Sequence, residues 1–425
     1  MSPANLSLEQ NGRFPSGRCK LACDECRKRK LRCDGQDPKC GVCIEAGITC
    51  KVNTKRLARG PKKGLLRALR IKADRNQLYF ERVHPFTPLI QRRHFLSWSH
   101  RRDFKRSRLC LQLAMRTLAA SLSAQYQHIS LATYQNARKE LEYIEIQGTG
   151  LDSVDVEQAQ AWILVAFYEL IRAHYRRAWM SIGRACRLIQ LLGLHRIDAV
   201  EKITNDAEAT PRANTETEEK RRTFWMAYCL DRLVGLRNNW PLAFNELVIC
   251  TRLPAAEADF QNGEPSLGGF LSEAITTDSG YNVPAFNELI VYVTICGRCL
   301  SHKQQAAIEP LHSSLSRGFW NRHEWLHALL TQKLRRSRML SSPSDMTDPM
   351  RLFANMVAYT ALIYLCKILD SSPNESINQQ SMPAYEEESR TAAWEIANLA
   401  QNVDELSIFK VCCIYEVSAN LLWLI

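Results

Sequence analysis

The chain has 425 residues, 46% of them hydrophobic and 24% charged, with a formal net charge of +12. That is the composition of a soluble globular protein, long enough for two or three domains. The opening MSPANLSLEQNGRFPSGR lacks the apolar core of a signal peptide and no apolar run reaches about 18 residues, so secretion and membrane spanning are not expected. An intracellular chain keeps its thiols reduced, which argues against disulfides as the use of its 16 cysteines.

Charge is unevenly placed. Residues 13–70 carry 17 Lys/Arg against five acidic residues, and 71–108 a further ten against three, so the rest of the chain is net acidic. A cationic head on an acidic body predicts a polyanionic partner for the head alone.

Residues 1–18, rich in Ser, Pro, Asn and Gly, are expected to be a disordered N-terminus. Residues 19–52 hold the cysteine block. In CDECRKRKLRCDGQDPKCGVCIEAGITC the cysteines fall as C-x2-C-x6-C, six residues, then the same pattern again: Cys23, Cys26, Cys33, then Cys40, Cys43, Cys50. A C-x2-C pair lets two thiolates converge on one ion, and the x6 step returns a third after about two helical turns. Each half thus offers three ligands where tetrahedral zinc needs four. Two Zn2+ need eight positions, which six thiolates fill if two of them bridge; by pseudo-symmetry the bridges should be Cys23 and Cys40. The expected cofactor is two Zn2+ per chain. Its expected role is structural, because about 30 residues cannot bury enough apolar surface to fold alone. Cys19 stands outside the pattern.

The halves differ between their cysteines. Arg27-Lys28-Arg29-Lys30-Leu31-Arg32 follows Cys26, whereas Ile44-Glu45-Ala46-Gly47-Ile48-Thr49 has no basic residue. One helix is built to meet phosphates, and its partner supports it. Asp24 and Glu25 fall in the first turn of the basic helix, where carboxylates complement the dipole. Pro38 fixes a turn in DGQDPK and is a candidate for a cis bond. The plain alternative for RKRKLR is an import signal or a solvated helix face.

The block resembles the fungal binuclear zinc cluster DNA-binding domain. It has that family's two halves, its basic run after the second cysteine and its proline before the fourth. The resemblance implies a helix that enters the major groove and reads a CGG triplet, with Lys30 on base edges and Arg27, Lys28, Arg29 and Arg32 on phosphates. The chemistry agrees. Guanine O6 and N7 accept from Lys or Arg, while phosphate contacts set register without reading sequence.

Residues 53–80 read as a basic linker. Its Arg59-Gly60-Pro61 faintly resembles a minor-groove hook. Leu65, Leu66, Leu69 and Ile71 break off before the three or four heptads a coiled coil needs. A homodimer formed through the helical body and monomeric binding both stay open.

Residues 81–425 read as a large all-α regulatory domain. Helical spacing covers 109–128, 156–175, 178–196, 218–236, 285–300, 319–340, 349–370 and 391–402. Trp179, Ile182, Cys186 and Ile189 make one such stripe, with Gly193 at a C-terminal cap. Polar breaks fall near 199–216, 257–282, 341–348 and 371–383. Residues from Arg177-Ala178-Trp179 to Arg196, and from Glu219 through Trp225 to Asp231-Arg232, with Leu253-Pro254 downstream, resemble the middle homology region of fungal zinc-cluster regulators. Within it Arg221, Arg222, Asp231 and Arg232 are expected as structural ion pairs and His195 as a capping or surface residue. Trp162, Trp179 and Trp225 are expected in the core, and C-G-R-C at 296–299 as buried thiols. RRHFLSWSHRRDFKR is expected as an amphipathic surface helix rather than an extension of the DNA footprint. The tail SANLLWLI reads like a helix interior, which suggests a chain truncated at its C-terminus relative to family members. Glu386-Glu387-Glu388 is too short for an activation domain.

The expected function is that of a zinc-dependent, sequence-specific transcription factor in the nucleus, regulating RNA polymerase II genes of a metabolic or secondary-metabolite gene cluster. Its expected partners are double-stranded DNA with GC-rich triplet half-sites and the transcription machinery, with no membrane. One alternative is a zinc-cluster scaffold or corepressor acting through protein contacts, against which the Lys-bearing face argues. Another is an enzyme with a DNA-binding appendage; no G-x-S-x-G, P-loop, H-E-x-x-H or Rossmann fingerprint supports it.

Overall fold

The computed structural model describes residues 22–52, 75–101, 105–150, 153–199, 211–276, 283–308, 316–340, 348–369 and 375–401. Cys19, the linker stretch 59–71 and the tail SANLLWLI lie outside the described residues. The chain divides into two compact units, Met1–Leu69 and Arg70–Ile425. Neither contains a strand among the described residues.

The first unit has two short helices, α1 (Asp24–Lys28) and α2 (Gly41–Glu45). Among the described residues its buried ones are Cys23, Cys26, Cys33, Cys40 and Cys43, backed by Ala22, Val42 and Cys50. So little apolar area cannot offset the entropy of ordering the segment, and among the described residues the sulfurs are the candidates for what does.

The described residues of the second unit begin with a helical turn, 75–78, that runs into a π turn, Tyr79–Val83, and then α3 (Arg92–Ser99). Four longer helices follow: α4 (Arg106–Ser121), α5 (Gln127–Gln147), α6 (Val156–Ile171) and α7 (Tyr175–Leu191). After α8 (Pro211–Asn238) come the short α9 (Glu257–Asn262) and α10 (Leu271–Thr276). The chain then runs through α11 (Ala285–Ile308), α12 (Ser316–Leu340), α13 (Pro349–Ile368) and α14 (Glu375–Gln401). Neighbours pack in the order α5, α4, α6, α7, α8, α11, α13, α14, with α12 against α11 and α13. Trp162, Trp225, Tyr228 and Tyr292 are wholly buried in the core, and the partly buried Trp179 meets Trp240 at 4.4 Å between ring centroids.

Helical periodicity overlooks α5. The face it buries is Ser130, Thr133, Tyr134, Ala137 and Leu141, a stripe too small and polar to register as apolar. What draws it in is polar. Glu169 of α6 is wholly buried and accepts from Tyr134 Oη and Arg138 Nη1, both at 2.6 Å, and from Ser181 Oγ of α7 at 2.7 Å. Three helices are thereby tied through one carboxylate.

Some expected breaks are partly helical. α9 and α10 fall inside 257–282, α8 begins at Pro211 and α14 at Glu375. Proline is compatible with a first turn, and Pro383 inside α14 lies on an exposed face, where water can take the freed carbonyl. Helix α13 is long and apolar enough to cross a bilayer, yet 78% of its most apolar window is buried within the body, so core packing accounts for its composition.

Several buried charges of the second unit have defined partners. Arg221 donates to Asp198 at 2.5 and 2.9 Å. Arg222, 1% exposed, meets Glu218 at 3.0 Å and Glu257 at 2.5 Å and donates to the carbonyls of Pro88 and Ala255. Asp231 accepts the Ala243 N–H at 2.9 Å, and Arg232 lies over the Tyr228 ring. His195 sits in a 3-10 turn, Leu194–Arg196, its carbonyl accepting the Cys250 N–H at 2.8 Å. Cys296 and Cys299 are buried. In α3, Phe95 and Trp98 face the core while Arg92 and Arg93 face solvent, as an amphipathic surface helix requires.

Candidate metal centre and nucleic-acid interface

The two halves of the cysteine block build the same local structure twice, 17 residues apart. Cys23 and Cys40 are the N-caps of α1 and α2, each helix five residues long. Each ends alike: the Leu31 N–H returns to the Cys26 carbonyl at 2.9 Å, and the Ile48 N–H to the Cys43 carbonyl at 3.0 Å. The closing residue is left-handed in both, Lys30 at φ 56° and Gly47 at φ 64°. The x6 step is therefore not two helical turns. It is the last two residues of a five-residue helix followed by a left-handed reversal, because a helix continued past Lys28 would carry the third cysteine away from the other two. Asp24 and Glu25 occupy the first turn of α1 as expected, and the Asp37–Pro38 bond is cis.

This doubling converges the sulfurs. Cys23, Cys26, Cys40 and Cys43 place their Sγ atoms within 4.8 Å of one another. Three edges are 3.7 Å (Cys23–Cys40), 3.6 Å (Cys23–Cys43) and 3.6 Å (Cys26–Cys40). Zn–S bonds of about 2.3 Å in a tetrahedron give edges of about 3.8 Å, so these thiols fit zinc. Cys40 is common to a second group with Cys33 and Asp34, and its N–H donates to Cys50 Sγ at 3.5 Å. Cys26 and Cys43 are 4.0 Å apart, closer than the about 5 Å that two edge-sharing tetrahedra place between outer ligands. As they stand the four sulfurs outline one tetrahedron, flanked by Cys33 and Cys50.

The thiols differ in how readily they ionise. The Cys26 N–H donates to Cys23 Sγ at 3.4 Å and is the main reason the Cys23 thiol is pushed down to about 6. Burial pushes Cys26 up to about 12, and burial likewise raises Cys40. For Cys43 a hydrogen bond with Cys40 favours the thiolate, but burial and the nearby Cys23 raise it on balance. One thiolate forms easily beside the others; several at once require a cation among them.

Outside this knot the two halves differ in the charge that follows their second cysteine. Arg27, Lys28, Arg29, Lys30 and Arg32 are exposed, while the matching positions of the second half carry Ile44, Glu45, Ala46, Gly47 and Thr49. The metal-facing side of α1 is Cys26; everything else at its C-terminal end is cationic and open to solvent.

The family model described as Fungal Zn(2)-Cys(6) binuclear cluster domain matches residues 21–60, and that described as Fungal specific transcription factor domain matches residues 77–329. The chain belongs to the fungal zinc-cluster transcription factors. Its six-cysteine domain binds two zinc ions, and the family's cluster is a DNA-binding module. Among relatives of this regulator, a citrinin biosynthesis transcriptional activator of Monascus ruber is 38% identical, covering 94% of this chain and 96% of the relative. A pigment biosynthesis transcriptional activator of the same species is 38% identical over 96% of this chain and 86% of its own length. An azaphilone cluster-specific transcription factor of Aspergillus niger is 38% identical over 92% of this chain and 95% of its own. No solved structure matches the chain.

Sequence reasoning about this zinc-cluster factor passed over two features. Asp34 reaches across to Gly41; the available signal was an acid directly after one cysteine and a glycine directly after the next. The left-handed setting of Lys30 was also legible, since aligning the two halves puts Lys30 opposite Gly47.

Proposed function

We propose that residues 19–52 are a DNA-binding head, 53–80 a basic linker and 81–425 a regulatory body. In the head Cys23, Cys26, Cys33, Cys40, Cys43 and Cys50 hold two Zn2+, with Cys23 and Cys40 as bridges. The metal supplies the free energy of folding that the head's small apolar area lacks. Lys30 reads guanine edges of CGG-like triplets in the major groove, and Arg27, Lys28, Arg29 and Arg32 hold phosphates. The observation that carries this reading is the exposed cationic end of α1, anchored from behind by a buried cysteine of the sulfur cluster. Protein interfaces are depleted in lysine, so the exposed Lys28 and Lys30 argue against a protein-contact module.

The relatives named for citrinin, pigment and azaphilone biosynthesis support a role in the nucleus, activating RNA polymerase II genes of a secondary-metabolite cluster, rather than an enzymatic one. Homodimerisation would place two triplets at a fixed spacing. The deciding experiment selects duplexes from a random pool with the zinc-loaded full chain. A recovered GC-containing triplet, single or paired, is expected. Recovery of no motif would overturn direct readout and favour a scaffold.

A further inference from the structure

An acidic side chain lies against the sulfur cluster. Asp34 directly follows Cys33 and Gly41 directly follows Cys40, so contact between them joins the last cysteine of one half to the first of the other. The Asp34 carboxylate accepts the Gly41 N–H with both oxygens, Oδ2 at 2.8 Å and Oδ1 at 3.1 Å. One of its oxygens, Cys33 Sγ and Cys40 Sγ are all within 4.8 Å of one another. Electrostatics alone oppose this placement, because six thiolates around two Zn2+ already leave two negative charges.

The two helix starts explain it. In α1 the N-cap Cys23 accepts the Cys26 N–H through its own sulfur, whereas in α2 the N-cap Cys40 makes no side-chain capping bond. The first N–H of α2, that of Gly41, is taken by Asp34 of the other half, just as the first N–H of α1, that of Asp24, is taken across the halves by the Lys51 carbonyl at 3.0 Å. Gly41 is shaped for this approach: a Cβ there would lie 2.6 Å from Asp34 Oδ2. We propose that Asp34 is a positioning residue of the metal cluster. It fixes α2 and therefore Cys40 relative to Cys33, leaving the Cys40 sulfur to the metal. This rests on the reading of the six cysteines as zinc ligands.

The test compares the zinc-loaded full chain with Asp34→Ala, Asp34→Asn, Gly41→Ala and the Asp34→Ala/Gly41→Ala double variant. Bound zinc is counted by elemental analysis, affinity is read by competition with a chromogenic chelator, and the Co2+-substituted protein reports thiolate geometry through its charge-transfer bands. Loss of an outer-shell partner costs a metal site about 10- to 100-fold in affinity, so that loss is expected for Asp34→Ala. Asp34→Asn keeps an acceptor oxygen and should recover most of it. Gly41→Ala should lose affinity by displacing the carboxylate, and the double variant should lose no more than Asp34→Ala. If Asp34→Ala retains no metal at all, Asp34→Asn and Gly41→Ala carry the comparison. A wild type with two zinc ions beside an Asp34→Ala variant within twofold of it would overturn the proposal. So would Asp34→Asn no better than Asp34→Ala, or losses that simply add. A wild type holding fewer than two zinc ions would overturn the ligand reading beneath it, and this proposal too.

Discussion

Replacing Lys30 with glycine should separate the fold of the head from its reading of DNA. Lys30 is left-handed at φ 56°, where its counterpart Gly47 sits at φ 64°. A side chain in that region costs roughly 1–2 kcal/mol, while glycine gives back about 0.5–1 kcal/mol through its freer unfolded chain. The balance makes Lys30→Gly more stable than Lys30→Ala by about 0.5–1 kcal/mol, because alanine keeps the strain that glycine relieves. On DNA the two should be alike, each losing about 1–3 kcal/mol of discrimination at one base position. The assay pairs unfolding of the zinc-loaded chain with competition binding on a selected duplex and its single-base variants. The strain argument fails if Lys30→Gly is the less stable of the two. The readout argument fails if either variant keeps the wild-type preference or loses affinity equally for every sequence.

Loading the head with two zinc ions should open the Cys26–Cys43 separation from 4.0 Å to about 5 Å, the spacing of outer ligands in edge-sharing tetrahedra; a zinc-loaded structure in which it stays closed would contradict bridging by Cys23 and Cys40. Glu169→Ala removes the shared acceptor of Tyr134, Arg138 and Ser181 and leaves the Arg138 charge without it. The body should lose about 3 kcal/mol, seen by denaturant unfolding, and a loss below about 1 kcal/mol would mean that burial of α5 does not depend on this lock. His94 is raised above its ordinary value, first by its hydrogen bond to Glu219, with Glu216 adding to and Arg108 opposing the effect. The folded state therefore binds this proton more tightly. Its contribution is complete below the unfolded value of about 6.5 and fades as pH rises through the folded one. His94→Asn, which keeps a donor toward Glu219, should therefore cost more stability at pH 5.5 than at pH 8.5; an equal cost at both would refute the pairing.

The metal site was legible because coordination is a short-range matter of spacing. Two C-x2-C-x6-C halves restrict where six sulfurs can go, and the run from Arg27 to Arg32 has no use for burial. Periodicity likewise marked α6, α7, α8 and α13, whose buried faces are apolar enough to declare themselves. It was silent on α5, since the Ser130–Leu141 stripe becomes an inner face only once Glu169 waits on α6 to receive it. Nor did it place Lys30 past the helix end, because that follows from the third thiolate having to turn back.

Sequence alone thus determined the donor atoms, their number and the sign of the surface beside them, all properties carried by residues close together in the chain. Only the tertiary structure decided that Asp34 caps the opposite half and that one carboxylate binds three helices of the body. Each of these depends on groups 7 to 35 residues apart, and no local pattern records a partner that arrives only when the chain has folded.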